Sequence, residues 1–309
     1  MQIFENTTPE LSGCVVALGF FDGVHIGHRE LIKKAIAESE RLSLPTAVYT
    51  FREHPRALIF PDAPTELIYT NSEKSEVLES LGVDILVFQD FSLVRDMTPS
   101  EFVESVLAEK LCARSVVCGY NFRFGKNNSG DVDTLRSLLS VYGIALSVIP
   151  PICAGDLPVS SGRIRELLEE GRVDTARLLL DRPYSIAEGV IHGHRIGHSL
   201  GFPTANLPLS DNAVKLPNGV YFTKTELDGK VYNSVTNIGT RPTVRDGETR
   251  AVCETHIIGY NGDIYGKSIR VSFYKMHRPE TQFDSLEELS RVLARDVKSA
   301  VDYFEKEDL

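Results

Sequence analysis

Two histidines three residues apart, just before a predicted helix, are the first side chains in this chain whose spacing points to chemistry. They lie in Leu18–His28, which reads LGFFDGVHIGH. Glycines let a backbone approach a ligand closely, and the first turn of a helix offers free N–H groups and the positive end of the helix dipole. His25 and His28 can therefore meet one phosphate group and stabilise the charge that develops as pyrophosphate leaves. The segment predicts a nucleotide-binding site.

The histidine pair has two other interpretations, a metal site or a chance pair on the surface. Zinc would need a third and a fourth ligand, and no such cluster lies nearby in the sequence. The strand predicted before the motif, the helix predicted after it and the glycine pattern together favour nucleotide binding.

Elements that could position this motif alternate along the first part of the chain. Alternation of strands and helices predicts a parallel sheet covered by helices, with ligands beyond the carboxyl ends of the strands. The predicted strands are Cys14–Leu18, Thr46–Phe51, Ile85–Phe88, Ser115–Cys118 and Ala145–Ile149, and the predicted helices are His28–Leu42, Ser72–Leu81, Pro99–Leu111, Val132–Tyr142, Ser161–Glu170 and Val173–Leu180.

The pattern changes near residue 182, where Arg182-Pro183 interrupts the helices, and short strands with turn dipeptides follow. This texture predicts a small antiparallel β-barrel with one closing helix, and hence two domains, 1–182 and 183–309. The predicted strands are Ser185–Ile191, Gly219–Glu226, Lys230–Ile238, Ala251–Ile258 and Ser268–Phe273, and the closing helix is Ser285–Phe304.

The composition excludes several functional classes. The 309 residues carry 33 basic and 43 acidic side chains, a net charge of −10, which disfavours a nucleic acid partner. A polar N-terminus and the lack of an apolar run of about 20 residues predict neither a signal peptide nor a membrane span, so we expect a cytoplasmic protein. Five cysteines without a C-x-x-C pair are expected to be reduced and buried. No protein partner can be inferred.

A second glycine-rich segment, GHRIGHS at 193–199, directly precedes Pro203-Thr204-Ala205-Asn206. Backbone N–H groups in such a loop form a concave site for anions. Thr204 and Asn206 offer the oxygen ligands that Mg²⁺ prefers. The alternative for these two residues is a β-turn after Pro203.

Segments in both halves, in order along nearly the whole chain, resemble the bacterial bifunctional riboflavin kinase/FAD synthetase family. The similar segments are GFFDGVHIGH at 19–28, TFREHPR at 50–56, GYNFRFG at 119–125, VSSGRIR at 159–165, GFPTAN at 201–206, NIGTRPT at 237–243 and ETHI at 254–257.

The resemblance implies a Rossmann-like nucleotidyltransferase domain followed by a riboflavin kinase barrel. It implies that the barrel transfers the γ-phosphate of Mg²⁺-bound ATP to riboflavin, giving FMN. The first domain would then adenylylate FMN with a second ATP, releasing FAD and pyrophosphate. It also implies that Glu254 takes the proton from the ribityl 5′-hydroxyl, a role that suits a carboxylate near a hydroxyl nucleophile.

For adenylylation, the motif and the resemblance single out His25 and His28 as catalytic and His54 and Pro55 on the flavin side. Asn121 could instead be a turn residue, the arginines could be surface residues, and one of the serines could cap a helix. The expected ATP- and phosphate-binding residues are Gly19, Phe20, Asp22, Gly23, Gly27, Asn121, Arg123, Ser160, Ser161 and Arg163.

For the kinase, Glu254 is the expected catalytic residue and Thr204 and Asn206 the expected metal ligands. Glu254 could otherwise be an exposed strand residue, and His256, which shares its face, could be a bystander. The expected ATP- and phosphate-binding residues are Gly193, His194, Arg195, Gly197, Ser199, Thr204 and Asn206.

Two departures from the family pattern leave an alternative open. Glu53 stands where the family usually has proline, and Gly162 stands where it has threonine or serine. The alternative is a monofunctional riboflavin kinase with an impaired first domain, in which Gly162→Thr should raise FAD output. A nucleotidyltransferase for another substrate and a flavin-binding protein without catalysis are the other hypotheses. The hypothesis of another nucleotidyltransferase predicts no riboflavin binding by 183–309. The hypothesis of a flavin-binding protein predicts flavin binding without ATP consumption.

Overall fold

The computed structural model describes residues 1–60, 65–192, 201–210, 212–242 and 249–307. The chain divides into two units, Met1–Ser161 and Gly162–Leu309, called here the N-terminal and C-terminal units. The two helices predicted between 161 and 180 fall almost entirely in the C-terminal unit. The functional boundary at 182 stays a prediction.

The N-terminal unit contains the predicted parallel sheet, in the order β1-β4-β3-β2-β5-β6. From β2 the chain proceeds to β3 and β4 on one side, and β5 then pairs with β2 on the other side. The topological switch point of the sheet therefore lies between β2 and β5, where such sheets bind ligands. The strands are β1 (Gln2–Glu5), β2 (Cys14–Leu18), β3 (Thr46–Phe51), β4 (Ile85–Gln89), β5 (Ala113–Gly119) and β6 (Ala145–Ile149).

Helices connect these strands, and several begin at a residue whose side chain caps the helix. Thr98 caps a helix with Pro99 in its first turn, and Thr98 and Glu101 form a capping box, as residues of these types favour. The helices are α1 (Ile26–Leu42), α2 (Pro55–Ile59), α3 (Asn71–Ser80), α4 (Pro99–Glu101, continued by a π-helix at Phe102–Lys110) and α5 (Val132–Val141). A short hairpin, β7 (Cys153–Ala154) and β8 (Leu157–Pro158), follows the sheet.

The cysteines only partly follow the prediction. All five are free, and Cys14, Cys118 and Cys253 are buried. Cys153, however, is exposed and Cys112 is half-buried, so the expectation of burial is wrong for these two. Cys153 forms part of the β7–β8 hairpin, which has too few residues to cover its own side chains.

The C-terminal unit begins with α6 (Ser161–Glu169) and α7 (Val173–Leu180). Gly171, between them, has a φ of 74°, and a Cβ there would lie 2.5 Å from the Sδ of Met276. Arg177 of α7 also lies 5.1 Å from the ring centre of Tyr274. The close approach at Gly171 and the position of Arg177 show that the two helices pack against the barrel strand that carries Met276 and Tyr274.

The sheet of the C-terminal unit is antiparallel, in the order β10-β13-β12-β11-β14-β9. The N–H of Ile191 donates to the carbonyl of Asn206 at 2.8 Å and links the two edges, so the sheet forms a nearly closed barrel, as predicted. Asp228 and Gly229 form the expected hairpin turn, with φ of 50° and 73°. The strands are β9 (Tyr184–Gly189), β10 (Ala205–Pro208), β11 (Gly219–Leu227), β12 (Lys230–Pro242), β13 (Thr249–Ile257) and β14 (Ser268–Pro279).

Helix α8 (Leu286–Glu307) packs against one face of the barrel sheet. Ala300 and Phe304 contact Phe222 and Val235 on this face. Hydroxyl groups occupy the other face, where Thr223 lies 2.7 Å from Thr236 and Thr236 lies 2.9 Å from Thr255. The barrel therefore encloses a chain of bonded hydroxyls and carries its closing helix outside.

Removing the carboxylate of Asp296 is expected to destabilise the C-terminal unit. Arg278 donates to this carboxylate through Nη2 at 2.8 Å and Nε at 3.2 Å, and Asp296 is only 3% exposed. Asp296→Ala leaves a half-buried guanidinium without its carboxylate, which should cost about 3 kcal/mol of unfolding free energy. Calorimetry of the full chain measures the lowered transition of the barrel.

The matched control is Asp302→Ala, an exposed aspartate on the same helix. It is expected to change the unfolding free energy by less than about 0.5 kcal/mol. Equal unfolding midpoints for the two variants would contradict the role assigned to Asp296.

Candidate active sites

The histidine motif lies at the switch point of the parallel sheet, between the end of β2 and the start of α1. His25 is the N-cap of α1, and its Nδ1 accepts a hydrogen bond from the N–H of His28 at 3.3 Å. A Cβ at Gly27 would lie 3.2 Å from the His25 ring, so glycine leaves room for the ring over the helix start. The chain thus places both imidazoles at the positive end of α1.

The two imidazoles are stacked and neutral. Their ring centres are 3.6 Å apart, with an angle of 15° between the planes. Burial lowers the pKa of His25 to about 4. Burial, His25 and Lys74, in that order, lower the pKa of His28 well below its usual value. Because Nδ1 of neutral His25 accepts, its Nε2 carries the proton and can donate to a phosphate oxygen.

Acidification is expected to weaken the N-terminal unit through His25. The folded pKa, about 4, lies below the ordinary histidine value of 6.5, so the unfolded chain binds the proton first as pH falls. Stability is therefore lost as pH falls from 6.5 towards 4, by about 3 kcal/mol when the whole shift is realised. Urea unfolding at several pH values measures how steeply the free energy of unfolding falls with pH, and His25→Gln should reduce this slope. An unchanged slope in His25→Gln would rule out His25 as its source.

Asp22 stabilises the loop between β2 and α1 through hydrogen bonds. Its Oδ1 accepts from the N–H groups of Ile68 at 3.0 Å and Tyr69 at 3.3 Å, and its carbonyl accepts from the Ser161 hydroxyl at 2.9 Å. Gly23 has a φ of 75°, which suits glycine at this tight turn. Contact between Asp22 and a phosphate stays a prediction.

The remaining predicted phosphate ligands lie on two segments. Asn121 and Arg123 follow β5 and are exposed, and Nη1 of Arg123 lies 3.6 Å from Oδ2 of Asp131. Ser160 precedes α6, and Arg163, in its first turn, belongs to the C-terminal unit. The roles of all four stay predictions.

A cavity of about 520 Å³ opens beside the histidine motif. Gly19, Phe20, His28, His54 and Asn121 line it, as do the predicted Pro55 and Arg123. Aromatic rings dominate the rest of its wall, and such surfaces suit a planar ring system. The aromatic residues lining the cavity are Phe20, Tyr49, Phe51, Phe60, Phe91, Phe102, Phe122 and Phe124.

His54 reaches this cavity through α2, a helix that the sequence analysis missed. Its Nδ1 accepts from the N–H of Arg56 at 3.1 Å, so His54 caps α2, and Pro55 occupies the first position. The His54 ring lies edge-on to Phe20, with ring centres 4.6 Å apart. A proline after a capping side chain was the available signal.

Two residues predicted for the kinase, Asn206 and Glu254, line up with Asn237 across three neighbouring barrel strands. Asn206 of β10 and Asn237 of β12 are both register partners of Glu254 on β13. Directly paired residues on one face have Cβ atoms about 4.5–5.5 Å apart, so the carboxylate lies between two amides. Asn206 belongs to a strand, and the alternative of a β-turn is therefore wrong for it. Asn237 was missed, although the NIGTRPT segment contains it.

The donor set around Asn206 fits Mg²⁺. Oδ1 of Asn206 is buried and has no hydrogen-bond partner within the described ranges. Thr204 stands two residues before it, immediately ahead of β10, and both offer neutral oxygens. Within the described part of the chain no group of three or more His, Cys, Asp and Glu side chains could hold a metal. Two neutral protein oxygens suit an ion that also binds substrate phosphates.

His256 contacts the residues that immediately precede Thr204. Its Nδ1 donates to the carbonyl of Pro203 at 2.9 Å, and its ring lies edge-on to Phe202 at 5.4 Å. A cavity of about 580 Å³ lies next to Pro203, and Thr204, Thr255 and the loop 260–265 line it. His256 thus has a structural contact with the segment before Thr204, and its being a bystander to the reaction stays a prediction.

Five predicted kinase residues lie outside the described residues. They are Gly193, His194, Arg195, Gly197 and Ser199.

Two candidate sites on two different folds are the arrangement expected of a two-domain transferase, and comparisons with known proteins agree. A family model described as FAD synthetase matches residues 7–163, and one described as riboflavin kinase matches residues 180–304. The bifunctional riboflavin kinase/FMN adenylyltransferase of Bacillus subtilis is 34% identical over 298 residues, covering 96% of this chain and 94% of that protein. The Escherichia coli K12 protein of the same name is 34% identical over 294 residues, covering 94% and 93%.

The chain belongs to the family of bifunctional riboflavin kinase/FMN adenylyltransferases. A solved structure described as a macrolide-efflux protein from Streptococcus pneumoniae superposes with a TM-score of 0.89 at 30% identity, covering 97% of this chain and 99% of that chain. Among the described residues, none of the helices combines the length and the apolar character needed to cross a membrane.

Proposed function

We propose that the C-terminal barrel phosphorylates riboflavin to FMN with ATP and that the N-terminal domain adenylylates FMN to FAD, releasing pyrophosphate. The observation that carries this proposal is the presence of two separate sites, each suited to one reaction. Glu254 between two amides suits proton removal from a hydroxyl, whereas the neutral histidine pair at a helix start suits a phosphate. The bifunctional relatives support this proposal over a monofunctional kinase.

In the kinase reaction, a carboxylate oxygen of Glu254 accepts the proton of the ribityl 5′-hydroxyl as that oxygen attacks the γ-phosphorus of ATP. The bond from the γ-phosphorus to the β–γ bridging oxygen breaks, and ADP leaves. Mg²⁺, held by Thr204 and Asn206 together with the phosphates, would supply positive charge against the charge that develops on the leaving group. Asn237 pairs with Glu254 across β12 and β13, and His256 donates to the carbonyl of Pro203, just before Thr204.

In the adenylyl transfer, a phosphate oxygen of FMN attacks the α-phosphorus of ATP and the bond to the β-phosphate oxygen breaks. The nucleophile is already an anion, so no general base is needed. Nε2–H of His25 donates to the oxygens around the α-phosphorus, and the start of α1 adds its dipole. The aromatic cavity beside the motif would hold the isoalloxazine ring, with His54 and Pro55 on that side.

Product analysis tests both reactions in one experiment. The full chain is incubated with riboflavin and excess ATP with Mg²⁺, and riboflavin, FMN, FAD, ADP and pyrophosphate are separated over time. We expect FMN and ADP first, followed by FAD and pyrophosphate. Supplied FMN that yields no FAD would support the monofunctional alternative and direct attention to Gly162 and Glu53. Riboflavin that is not consumed would contradict the kinase.

We further propose that the protein acts in the cytoplasm. Its five free cysteines support a reducing compartment, where thiols persist. Localisation of a tagged chain in fractionated cells tests this proposal.

A further inference from the structure

Lys74, on α3, is a lysine buried inside the N-terminal unit. It is 1% exposed, although an ammonium group loses strong hydration when it leaves water. Its Nζ donates to the carbonyl of Phe20 at 3.1 Å and lies 4.3 Å from the centre of the Phe20 ring. The side chain therefore reaches from α3 to the loop that carries the histidine motif.

The carbonyl of Phe20 is held from two sides. Thr50 of β3 donates to it through Oγ1 at 2.9 Å, in addition to Lys74. A trans peptide is planar, with its carbonyl and N–H on opposite sides. A Phe20 carbonyl turned towards Lys74 and Thr50 therefore turns the N–H of Phe21 the other way. The backbone of Phe21 adopts the left-handed conformation, with a φ of 55°.

The Phe20 ring extends this contact to the ligand cavity. Phe20 lines the cavity of about 520 Å³ together with His54, whose ring is edge-on to it at 4.6 Å. A cation over the face of an aromatic ring restricts where that ring can lie. Lys74 thus contacts both the backbone and the side chain of one residue at the site.

We propose that Lys74 is a positioning residue for adenylyl transfer, which holds the Phe20–Phe21 peptide and the Phe20 ring in place beside the ligand cavity. Its charge also adds to the positive end of α1 behind the phosphate loop. This inference rests on the proposed adenylyltransferase function of the N-terminal domain.

The groups around Lys74 set its pKa, and the pKa gives its proposed role a pH dependence that can be measured. Asp22 faces it from the loop and His28 interacts with it from α1, whereas Phe88 on β4 and Thr50 on β3 carry no charge. On its own helix, Glu73 is bonded to Thr70. Burial lowers the pKa of Lys74 to about 8, although Asp22 opposes the shift. Wild-type kcat/KM for ATP in FAD formation should therefore fall above about pH 8.

The test compares Lys74→Met with Thr50→Val in the full chain, measuring FMN-to-FAD rates against ATP concentration and pH. Lys74→Met is expected to lower kcat/KM for ATP about 10- to 100-fold and to abolish the alkaline decline. Thr50→Val removes the other bond to the same carbonyl without changing charge. It should lower kcat/KM less than about fivefold and keep the decline. FMN formation from riboflavin, made by the other domain, should change less than about twofold in both variants.

Lys74→Gln separates the hydrogen bond from the charge, because an amide can still donate to Phe20 but does not titrate. It should recover part of the lost kcat/KM without the alkaline decline, and FMN binding, followed by flavin fluorescence, should lie closer to wild type than in Lys74→Met. The proposal is overturned if Lys74→Met keeps the wild-type kcat/KM and pH profile. If Lys74→Met loses both activities through misfolding, wild-type kinetics and pH profile in Lys74→Gln overturn it. Wild-type protein that makes no FAD from FMN would instead contradict the proposed function itself.

Discussion

Replacing Glu254 by glutamine is expected to lower the rate of FMN formation from riboflavin about 10²- to 10⁴-fold. Glutamine has nearly the same shape but cannot accept the hydroxyl proton, so the loss reports proton removal. Register with Asn206 and Asn237 is a property of the backbone and should survive the change. Supplied FMN should still be converted to FAD at the wild-type rate, because the histidine pair lies in the other domain.

The measurement is a pair of initial rates on the same protein sample, riboflavin to FMN and FMN to FAD. Glu226→Gln, at an exposed position of β11, is the matched control and should leave both rates unchanged. Loss of both rates in Glu254→Gln would contradict two independent sites. A normal FMN rate would remove Glu254 as the base and leave it as a half-buried strand residue without a catalytic role.

Replacing His28 by alanine should have the converse effect. FAD formation from FMN is expected to fall about 10²- to 10³-fold, the usual cost of one donor to developing charge. His28 also stacks on His25 at 3.6 Å, so its removal frees the other imidazole to move. Riboflavin should still be phosphorylated, and FMN should accumulate.

His192→Ala, in the C-terminal unit, serves as the histidine control for FAD formation and should leave that rate unchanged. His28→Ala with an unchanged rate of FAD formation would show that the pair does not act on the reacting phosphates. Loss of FAD formation in both variants would indicate that histidine substitution in general harms the protein.

Local pattern was sufficient for most of the regular elements. Cys14–Leu18, Thr46–Phe51, Ala145–Ile149 and Val173–Leu180 were predicted with the bounds that the structure gives them. Their side chains repeat at the period of a buried strand or an amphipathic helix, and that period depends only on neighbouring residues. The same holds for the Asp228-Gly229 turn, where both residues tolerate positive φ.

Elements that depend on distant partners were missed. β1 is a short strand whose partner, β4, lies some eighty residues further along the chain. α2 has only five residues, too few to show a helical period, and begins at a histidine cap. β10 becomes a strand through its pairing with β13, although Pro203 and Asn206 are typical of a turn.

The sequence by itself determined the fold class and the histidine spacing, and it predicted two sets of site residues, because motifs and periods are local. Only the tertiary structure decided which of them meet. The alignment of Glu254 with Asn206 and Asn237 depends on strand register, which arises from pairing across the sheet. The burial of Lys74 against Phe20 likewise depends on how α3 packs, and a helical pattern alone places a lysine on the solvated face. Burial is a property of packing between distant segments, and so is the low pKa that keeps the histidine pair neutral.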